Sequence, residues 1–381
     1  MEKTGTSPVT RSDTAGALPG LYIHIPFCLS RCSYCNFFST ADRGQIPRFY
    51  EALCREMALY EGKFGTFDTV YLGGGTPSTL PIGLLSEIID AVYTTFTIAG
   101  NCEFTIEINP GDVNEKLLSF LRNSPLNRIN LGIQSFNDTI LTYLGRRHDS
   151  KEAQKSLEAL RQAGFTNIGI DLIYGIPGQS VKSWINTLER ALEKNPEHLS
   201  CYELTLEPDT PLGQRLIQGE NEFPDEDECY RFFMTTSEHL EKAGYIHYEI
   251  SNFARHERLR SRHNQKYWNH TPCLGLGPSA HSFADNRRWW NHSSLDRYCG
   301  ALERNQRPVE AGEILTEEDL RLERIFLGLR TREGIDLEEL GEPTNPVLDR
   351  CLAEGLLEIH NARVIPTRRG FALADQLAVL L

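Results

Sequence analysis

The sequence of 381 residues has no apolar run near the roughly 20 residues that a bilayer-spanning helix requires. It also lacks a surplus of basic residues, because 39 Lys and Arg stand against 52 Asp and Glu and give a net charge of −13. This balance argues against a nucleic-acid partner held on a broad basic surface. The chain is long enough for one large catalytic domain and a smaller one.

The N-terminal twenty residues lack the long apolar core of a secretory signal, and they carry Glu2 and Asp13, which an organellar transit peptide would be short of. We therefore expect residues 1–20 to be disordered. The ten cysteines follow no disulfide framework, which indicates a reducing compartment and predicts a cytoplasmic protein.

Three of the cysteines lie within eight residues, at Cys28, Cys32 and Cys35. Three soft thiolates on one short loop suit a cubane iron–sulfur cluster, which needs close and convergent sulfurs. Such a cluster takes four ligands, so either a distant cysteine completes the set or one iron is open to a non-protein ligand. Zinc is less favoured because no second ligand pair follows, and a loop without metal is less favoured still.

Short β-branched or aromatic strands alternate with helical segments from Leu21 to Leu204, in six strand–helix steps. Such alternation predicts an α/β fold with a parallel sheet and right-handed crossovers. Polar residues collect where the strands end, which is where a (β/α) barrel builds its site. A partial, TIM-like (β/α)6 barrel accounts for six steps better than a complete eightfold barrel does.

The remainder of the chain predicts further units. We place the barrel core at 21–255, with a last strand at 244–253, and a connecting segment at 256–311. A C-terminal domain at 312–381 shows helices followed by a hairpin, which is typical of a winged-helix-like α+β module. No basic recognition helix is evident there, so we expect packing or substrate covering rather than nucleic-acid binding.

The spacing Cys-x3-Cys-x2-Cys, with aromatic Tyr34 before the last cysteine, resembles the radical S-adenosylmethionine (radical SAM) superfamily. The preceding stretch 22–27, Tyr-Ile-His-Ile-Pro-Phe, resembles the branch that contains oxygen-independent coproporphyrinogen III oxidase and its heme-chaperone relatives. The resemblance implies the partial barrel, a [4Fe-4S] cluster on Cys28, Cys32 and Cys35, and SAM bound at the open iron.

The resemblance also implies a set of SAM-contacting residues. Gly74, Gly75 and Thr76 follow a strand, where glycine lets the backbone approach a ligand closely, although a tight turn alone also explains them. Polar residues near later strand ends match cofactor-contacting positions of the oxidase family. With two aromatic residues near the cysteines, the further candidates are Tyr22, Tyr34, Glu107, Gln134, Arg146 and Asp171.

A second motif, His263-Asn264-x-x-Tyr267-Trp268, resembles one that is implicated in heme binding by the heme-chaperone members. A histidine can bind heme iron, and Tyr and Trp offer flat apolar surface beside a porphyrin. The same residues can instead form a packed aromatic corner around a hydrogen-bonded histidine. His281 and His24 are weaker alternative ligands.

Three departures separate the sequence from the oxidases. Phe37 stands where they carry a further cysteine, only about twenty polar residues precede Tyr22, and the His263 motif is typical of the chaperones. We therefore expect a radical SAM heme chaperone of the HemW family, for which SAM cleavage need not be productive. The alternatives are an oxygen-independent coproporphyrinogen III oxidase and a different radical SAM reaction on another tetrapyrrole.

The resemblance also implies binding partners. Heme or another tetrapyrrole is the cargo, an electron-donor protein reduces the cluster, and an apoprotein accepts the heme. A membrane-bound respiratory oxidase subunit, met transiently, is an acceptor of this kind. Members of the family can also dimerise around the cluster.

Overall fold

The computed structural model describes residues 17–220, 222–341 and 345–381. Most of the N-terminal segment that we predict to be disordered, residues 1–16, therefore lies outside the described residues. The first strand begins at Gly20, directly before the predicted start of the core.

Six parallel strands form the centre of the molecule and pair in chain order, β1-β2-β3-β4-β5-β6. These strands are β1 Gly20–Ile25, β2 Phe67–Gly74, β3 Ile98–Ile108, β4 Arg128–Gln134, β5 Ile168–Tyr174 and β6 His198–Glu203. The helices that cross between them are α1 Ile46–Tyr60, α2 Ile82–Thr95, α3 Glu115–Asn123, α4 Asp138–Tyr143, α5 Ser150–Gln162 and α6 Val181–Leu192. This order confirms the predicted partial barrel.

The helices pack on the outside of this sheet. Helix α1 buries Phe49, Leu53, Met57 and Tyr60 at helical spacing, as the sequence predicts. The strands present aliphatic residues to the helices at every second position, as Val70 and Leu72 of β2 do. The intervening positions face the barrel interior and carry polar side chains.

The next elements extend the sheet at both edges. They are α7 Pro211–Ile217, α8 Glu226–Lys242, β7 Ile246–Glu249, β8 Asn252–Ala254, α9 Arg262–Trp268, β9 Cys273–Leu276, β10 His281–Ala284, β11 Arg287–Asn291, α10 Leu295–Glu303 and β12 Val309–Ile314. The complete order is β12-β11-β10-β9-β1-β2-β3-β4-β5-β6-β8-β7, with β9 parallel to β1. In the described part of the chain β12 and β7 do not pair, so the barrel is open on that side.

One predicted strand is wrong in its extent. The stretch 244–253 was expected to be a single strand, but the structure divides it into β7 and β8, which pair antiparallel. The two residues between them, Ile250 and Ser251, contain neither Gly nor Pro, so the turn carries no composition signal.

The C-terminal segment has a hydrophobic core of its own, which includes Ile325, Leu329, Ile335 and Val364. Its elements are α11 Glu317–Gly328, β13 Ile335–Asp336, α12 Pro346–Ala353, β14 Leu357–His360, β15 Arg363–Pro366, α13 Arg368–Ala372 and α14 Ala374–Leu380. The strands form an antiparallel sheet in the order β13-β15-β14. This arrangement agrees with the predicted helices and hairpin, while the domain boundaries that we gave stay predictions.

Short 3-10 helices complete the described secondary structure, at Arg43–Gln45, Pro77–Thr79, Pro110–Asp112, Glu257–Leu259 and Leu337–Leu340. None of the helices within the described ranges is both long and apolar enough to cross a bilayer.

Candidate functional site

The carboxyl ends of the parallel strands surround a cavity of about 520 Å³. Most of the predicted cluster and SAM residues line it together: Cys28, Cys32, Tyr34, Cys35, Gly74, Gly75, Thr76, Glu107, Gln134, Arg146 and Asp171. Residues from the cysteine loop, four strands and the segment after α4 thus meet at one place. A cavity of this size suits a cofactor-sized ligand.

The cysteine loop follows β1 and is fastened at its start and in its middle. The Cys28 backbone N–H donates to Thr40 O at 3.0 Å, and the Ser33 N–H donates to Leu144 O at 3.3 Å. All three thiols are half-buried and face the same cavity. Three thiols presented from one loop into one cavity fit a cubane cluster, whose irons are held by cysteine thiolates.

The Arg146 side chain brings positive charge to the cysteine loop. Its Nη1 lies 3.3 Å from Cys32 Sγ and 3.5 Å from Tyr34 Oη, and its Nη2 donates to Gly132 O at 2.6 Å. A guanidinium at this distance places a hydrogen-bond donor and a positive charge beside the Cys32 sulfur. Tyr34 packs at the edge of a small apolar cluster that includes Leu144 and Leu204.

The end of β2 requires glycine at two successive positions. Gly74 has a φ of 110°, and a Cβ atom there would lie 2.6 Å from the His24 ring. A Cβ atom on Gly75 would lie 2.9 Å from Phe27 O. The glycines therefore let β2 pass close to β1 and the cysteine loop. Thr76 Oγ1 lies 3.5 Å from Cys28 Sγ.

Glu107, near the end of β3, is bound to the glycine segment. Its Oε2 accepts a hydrogen bond from the Gly74 N–H at 3.2 Å, and its Oε1 accepts one from Tyr71 Oη at 2.8 Å. Burial, and then the nearby Asp171 carboxylate, raise the pKa of Glu107 to about 7. The carboxyl group therefore changes charge near neutral pH.

Gln134 and Asp171 reach the cavity from β4 and β5. Gln134 has a φ of 69°, and the β4–β5 register shifts between Gly132 and Gln134, which turns its side chain toward the cavity. Asp171 lies within β5 rather than at its end. Its Oδ2 accepts a hydrogen bond from Asn130 Nδ2 at 2.6 Å, and the Ser200 hydroxyl is a further hydrogen-bond partner of the carboxylate.

Tyr22 does not line the cavity but lies beneath it, inside the barrel. Its hydroxyl is 3.2 Å from His24 Nδ1, and its ring lies 6.0 Å from the Tyr71 ring and 6.3 Å from the His263 ring. Tyr22 therefore supports Tyr71, which holds Glu107. In this conformation the predicted SAM contact of Tyr22 is indirect, and it stays a prediction.

Three of the predicted heme residues, His263, Tyr267 and Trp268, lie on α9 near the amino ends of the strands, away from the cavity. His263 is 1% exposed, and its ring nitrogens are 2.8 Å from Thr69 Oγ1 and 3.0 Å from Tyr267 Oη. Burial, and then the nearby Lys266 ammonium, lower the pKa of His263 to about 3. Tyr267 is 44% exposed and Trp268 is half-buried, so only they reach the surface.

Several cavity residues escaped the sequence analysis, among them Tyr71, Asn130, Tyr202 and Phe37. Tyr71 and Asn130 stand two residues before Gly73 and Gly132, so the period-two alternation of the strands contained their signal. Phe37, which we noted only as a departure from the oxidases, is 69% exposed at the rim of the cavity.

Comparison with known proteins agrees with this geometry. The Radical SAM superfamily matches residues 22–191, and the HemN C-terminal domain matches residues 315–373. The fold is similar to that of coproporphyrinogen III oxidase (HemN) from Escherichia coli, with a TM-score of 0.83 at 24% identity over 97% of this chain and 92% of that one. The fold and the site therefore define a radical SAM protein, whose class carries a [4Fe-4S] cluster and SAM.

Two curated relatives narrow this class. The chain is 35% identical over 363 residues to the heme chaperone HemW of Mycobacterium tuberculosis (strain CDC 1551 / Oshkosh), covering 93% of each chain. It is 37% identical over 328 residues to the heme chaperone HemW of Synechocystis sp., covering 84% of this chain and 79% of that one. The chain belongs to the HemW family of radical SAM proteins.

Proposed function

We propose that this protein is a radical SAM heme chaperone, which binds heme and delivers it to an apoprotein. The observation that carries the proposal is the 35% identity over 93% of the chain to a curated heme chaperone. The position of Phe37 supports it over the oxidase alternative, because the oxidases carry a cysteine there.

The three thiols of Cys28, Cys32 and Cys35 would hold the [4Fe-4S] cluster, and the remaining cavity would hold SAM. When bound, the cluster supplies one electron to SAM. Arg146 would place its positive charge beside the cluster, because its Nη1 lies 3.3 Å from Cys32 Sγ. Gly74, Gly75 and Thr76 let the backbone approach SAM, and Glu107 offers a carboxylate to its positively charged groups.

The remaining SAM contacts come from three sides of the cavity. Gln134 and Asp171 each present a polar group to the cavity, where it can form a hydrogen bond with SAM. Tyr34 contributes its ring beside the cysteines. Tyr22 positions Tyr71 from below.

Heme binding at the His263 motif requires movement. His263 would have to give up its hydrogen bond to Thr69 or to Tyr267 before a ring nitrogen could bind iron. The partners in this proposal are an electron-donor protein and a heme-accepting apoprotein, such as a membrane-bound respiratory subunit. Two copies of this protein would also dimerise around the cluster. A cytoplasmic location fits the ten free cysteines.

The test is an anaerobic assay with the reconstituted cluster. Coproporphyrinogen III, SAM and a reductant are added, and porphyrin products and 5′-deoxyadenosine are followed, while heme is titrated in a parallel sample. We expect stoichiometric heme binding and no decarboxylated product. Decarboxylated product would identify an oxidase, and a failure to bind heme would overturn the chaperone proposal.

A further inference from the structure

A second cleft, of about 490 Å³, opens near the amino ends of the parallel strands. Pro19 and Pro272, which precede β1 and β9, line it. Tyr60 at the end of α1, Trp289 of β11 and Ile314 of β12 line it as well. The cleft is therefore separate from the cysteine cavity, which lies at the carboxyl ends of the same strands.

The walls of this cleft combine apolar and charged side chains. Trp289 Nε1 donates to Tyr60 Oη at 3.1 Å, which fixes the indole against the end of α1. The Phe64 ring lies 6.4 Å from the Tyr60 ring. Ile314 adds an aliphatic side chain that is 79% exposed. Tyr60 itself is buried, so the accessible apolar surface comes from half-buried Trp289 and Phe64 and from Ile314, and it is suited to a planar apolar ligand.

Three cations stand around these walls: Lys63, Arg287 and Arg307. The Arg307 guanidinium lies 5.1 Å from the centroid of the Tyr60 ring, and that of Arg287 lies 6.0 Å from the centroid of the Trp289 ring. Asp285 is the acidic residue in the lining. Within the described ranges none of the three cations forms an ion pair, although the chain as a whole is strongly acidic.

Arg288, the next residue of β11, shows the contrast. It points to the other face of the strand and pairs with Glu313 at 2.7 Å and with Glu323 at 3.0 Å. Arg287 and Arg307 instead keep their guanidinium groups available, and guanidinium binds carboxylates in a bidentate manner. The cleft therefore combines apolar surface at Trp289 and Ile314 with cations that can receive at least two carboxylates.

We propose that this cleft binds the tetrapyrrole, with the macrocycle against Trp289 and the two propionates on Arg287 and Arg307. This inference rests on the proposed function and gives its cargo a position. The described lining contains no His, Cys or Met. Binding therefore uses the face and the carboxylates of the ligand, and it does not depend on the iron.

The His263 motif contributes to the walls of the cleft from behind. Lys266 Nζ donates to Leu18 O at 2.6 Å, directly before Pro19, and the Thr271 N–H donates to Lys266 O at 3.0 Å, directly before Pro272. Helix α9 thus holds both prolines in place. Disturbing this helix weakens heme binding without any of its side chains touching iron.

The experiment compares heme with metal-free protoporphyrin IX, each titrated into the full-length protein and followed by absorbance. The variant combines Arg287→Ala and Arg307→Ala, and Arg288→Ala is the matched control on the opposite face. Both arginines are exposed, so we expect the melting temperature of the variant to stay unchanged. We expect wild type to bind both ligands with similar affinity, and the double variant to lose about tenfold or more for each.

The outcomes are separable. If the double variant bound both ligands as tightly as wild type, the cleft would not be the tetrapyrrole site. The proposed chaperone function would be unaffected. Tight heme binding with at least a hundredfold weaker protoporphyrin binding would also overturn the cleft, because it would show iron ligation. An equal loss of affinity in Arg288→Ala would also overturn the cleft, because the loss would then reflect the net charge of the protein and not the two arginines of the cleft. A wild type that binds neither ligand would overturn the proposed function itself.

Discussion

Two side chains show how burial decides which chemistry a residue can perform. Desolvation favours the neutral form of any group, so it raises the pKa of Glu107 to about 7 and lowers that of His263 to about 3. His263 is therefore a neutral hydrogen-bonding imidazole at any working pH. Glu107 in contrast changes charge within the physiological range, in a cavity proposed for a positively charged cofactor.

We predict that Glu107→Gln removes a pH dependence from SAM binding. The raised pKa leaves Glu107 mostly neutral at pH 6 and mostly ionised at pH 8, and only the carboxylate attracts the cationic groups of SAM. Between pH 6 and pH 8 the affinity of wild type for SAM should therefore rise, relative to that of the variant, by up to about tenfold. Equilibrium dialysis of SAM against anaerobic, cluster-loaded protein measures the affinity of each protein at each pH.

The ratio of the two affinities isolates Glu107, because the titration of SAM itself is common to both proteins. Glu207→Gln is the matched control, since this carboxylate stands at the rim of the same cavity and accepts a hydrogen bond from Asn36 at 2.9 Å. Parallel profiles for wild type and Glu107→Gln would show that Glu107 does not face the charge of SAM.

The residues of the cofactor cavity could be predicted because their signals are local. Cysteine spacing and glycines after a strand place Cys28 and Gly74 in one cavity once the strands are known to be parallel. The surroundings of His263 could not be predicted in this way. Its burial depends on Thr69 and Tyr71, about 190 residues earlier in the chain, and no spacing within the motif reports them.

Helix α9 closes the barrel at the amino ends of its strands. Glu103 of β3 accepts the backbone N–H groups of Arg262 and His263, and Asp68 of β2 pairs with Arg262 and Lys266. The His263 ring completes this closure by packing 5.2 Å from the Tyr71 ring. The motif thus has a structural role in this conformation.

We predict that His263→Ala destabilises the protein even in the absence of heme. The change removes two hydrogen bonds and leaves a cavity inside the barrel, which should lower the free energy of unfolding by about 2–4 kcal/mol. Denaturant unfolding measures this free energy. His256→Ala, at an exposed position, is the control, and its free energy of unfolding should stay near that of wild type. Unchanged stability of the heme-free variant would show that His263 is not needed to close the barrel.

Glu56 connects α1 to the far edge of the sheet. Its side chain is fully buried and accepts hydrogen bonds from the Gly277 N–H at 2.8 Å, Asn291 Nδ2 at 2.6 Å and Tyr298 Oη at 2.6 Å. These donors belong to the loop after β9, the end of β11 and helix α10. One carboxyl group therefore connects three parts of this edge to α1.

We predict that Glu56→Ala costs about 3 kcal/mol or more of stability, because three buried donors lose their acceptor. Glu51→Ala, at an exposed position of the same helix, should change stability by less than about 0.5 kcal/mol. The two are compared by urea unfolding. Equal stability of the two variants would show that the buried donors find other acceptors.

The regular strand–helix units could be predicted from the sequence, and the antiparallel additions could not. In α1 the apolar spacing from Phe49 to Tyr60 fixes both the helix and its buried face. Strands β10 to β12 are short, and outward residues such as Arg287 and Trp289 alternate with equally polar or aromatic inward ones. Without an apolar alternation, the sequence carries little signal for these strands.

The two parts of the molecule join along the open edge of the barrel. The backbone of β7 extends to the C-terminal module, since the Arg332 N–H donates to Tyr248 O at 3.0 Å and the Ile250 N–H donates to Arg330 O at 2.9 Å. Arg368 of α13 pairs with Glu238 and Glu241 of α8. The C-terminal module thus satisfies polar groups that an isolated barrel would expose at this edge.

The centre of this junction is a cluster of three rings. Phe371 of α13 is 5% exposed and lies 5.0 Å from the His247 ring, which stacks on Phe253 at 4.1 Å. We predict that Phe371→Ala lowers the free energy of unfolding by about 3 kcal/mol. The region around residues 315–381 should also become sensitive to trypsin at a lower temperature.

Leu380→Ala is the control, because this residue is in the same module but is 50% exposed, and it should unfold like wild type. Thermal unfolding and timed proteolysis are followed on both variants. A single transition displaced to lower temperature in Phe371→Ala would show that barrel and module unfold together, as the shared backbone hydrogen bonds require. Two transitions, with the barrel transition unmoved, would show that the module contributes nothing to the stability of the barrel.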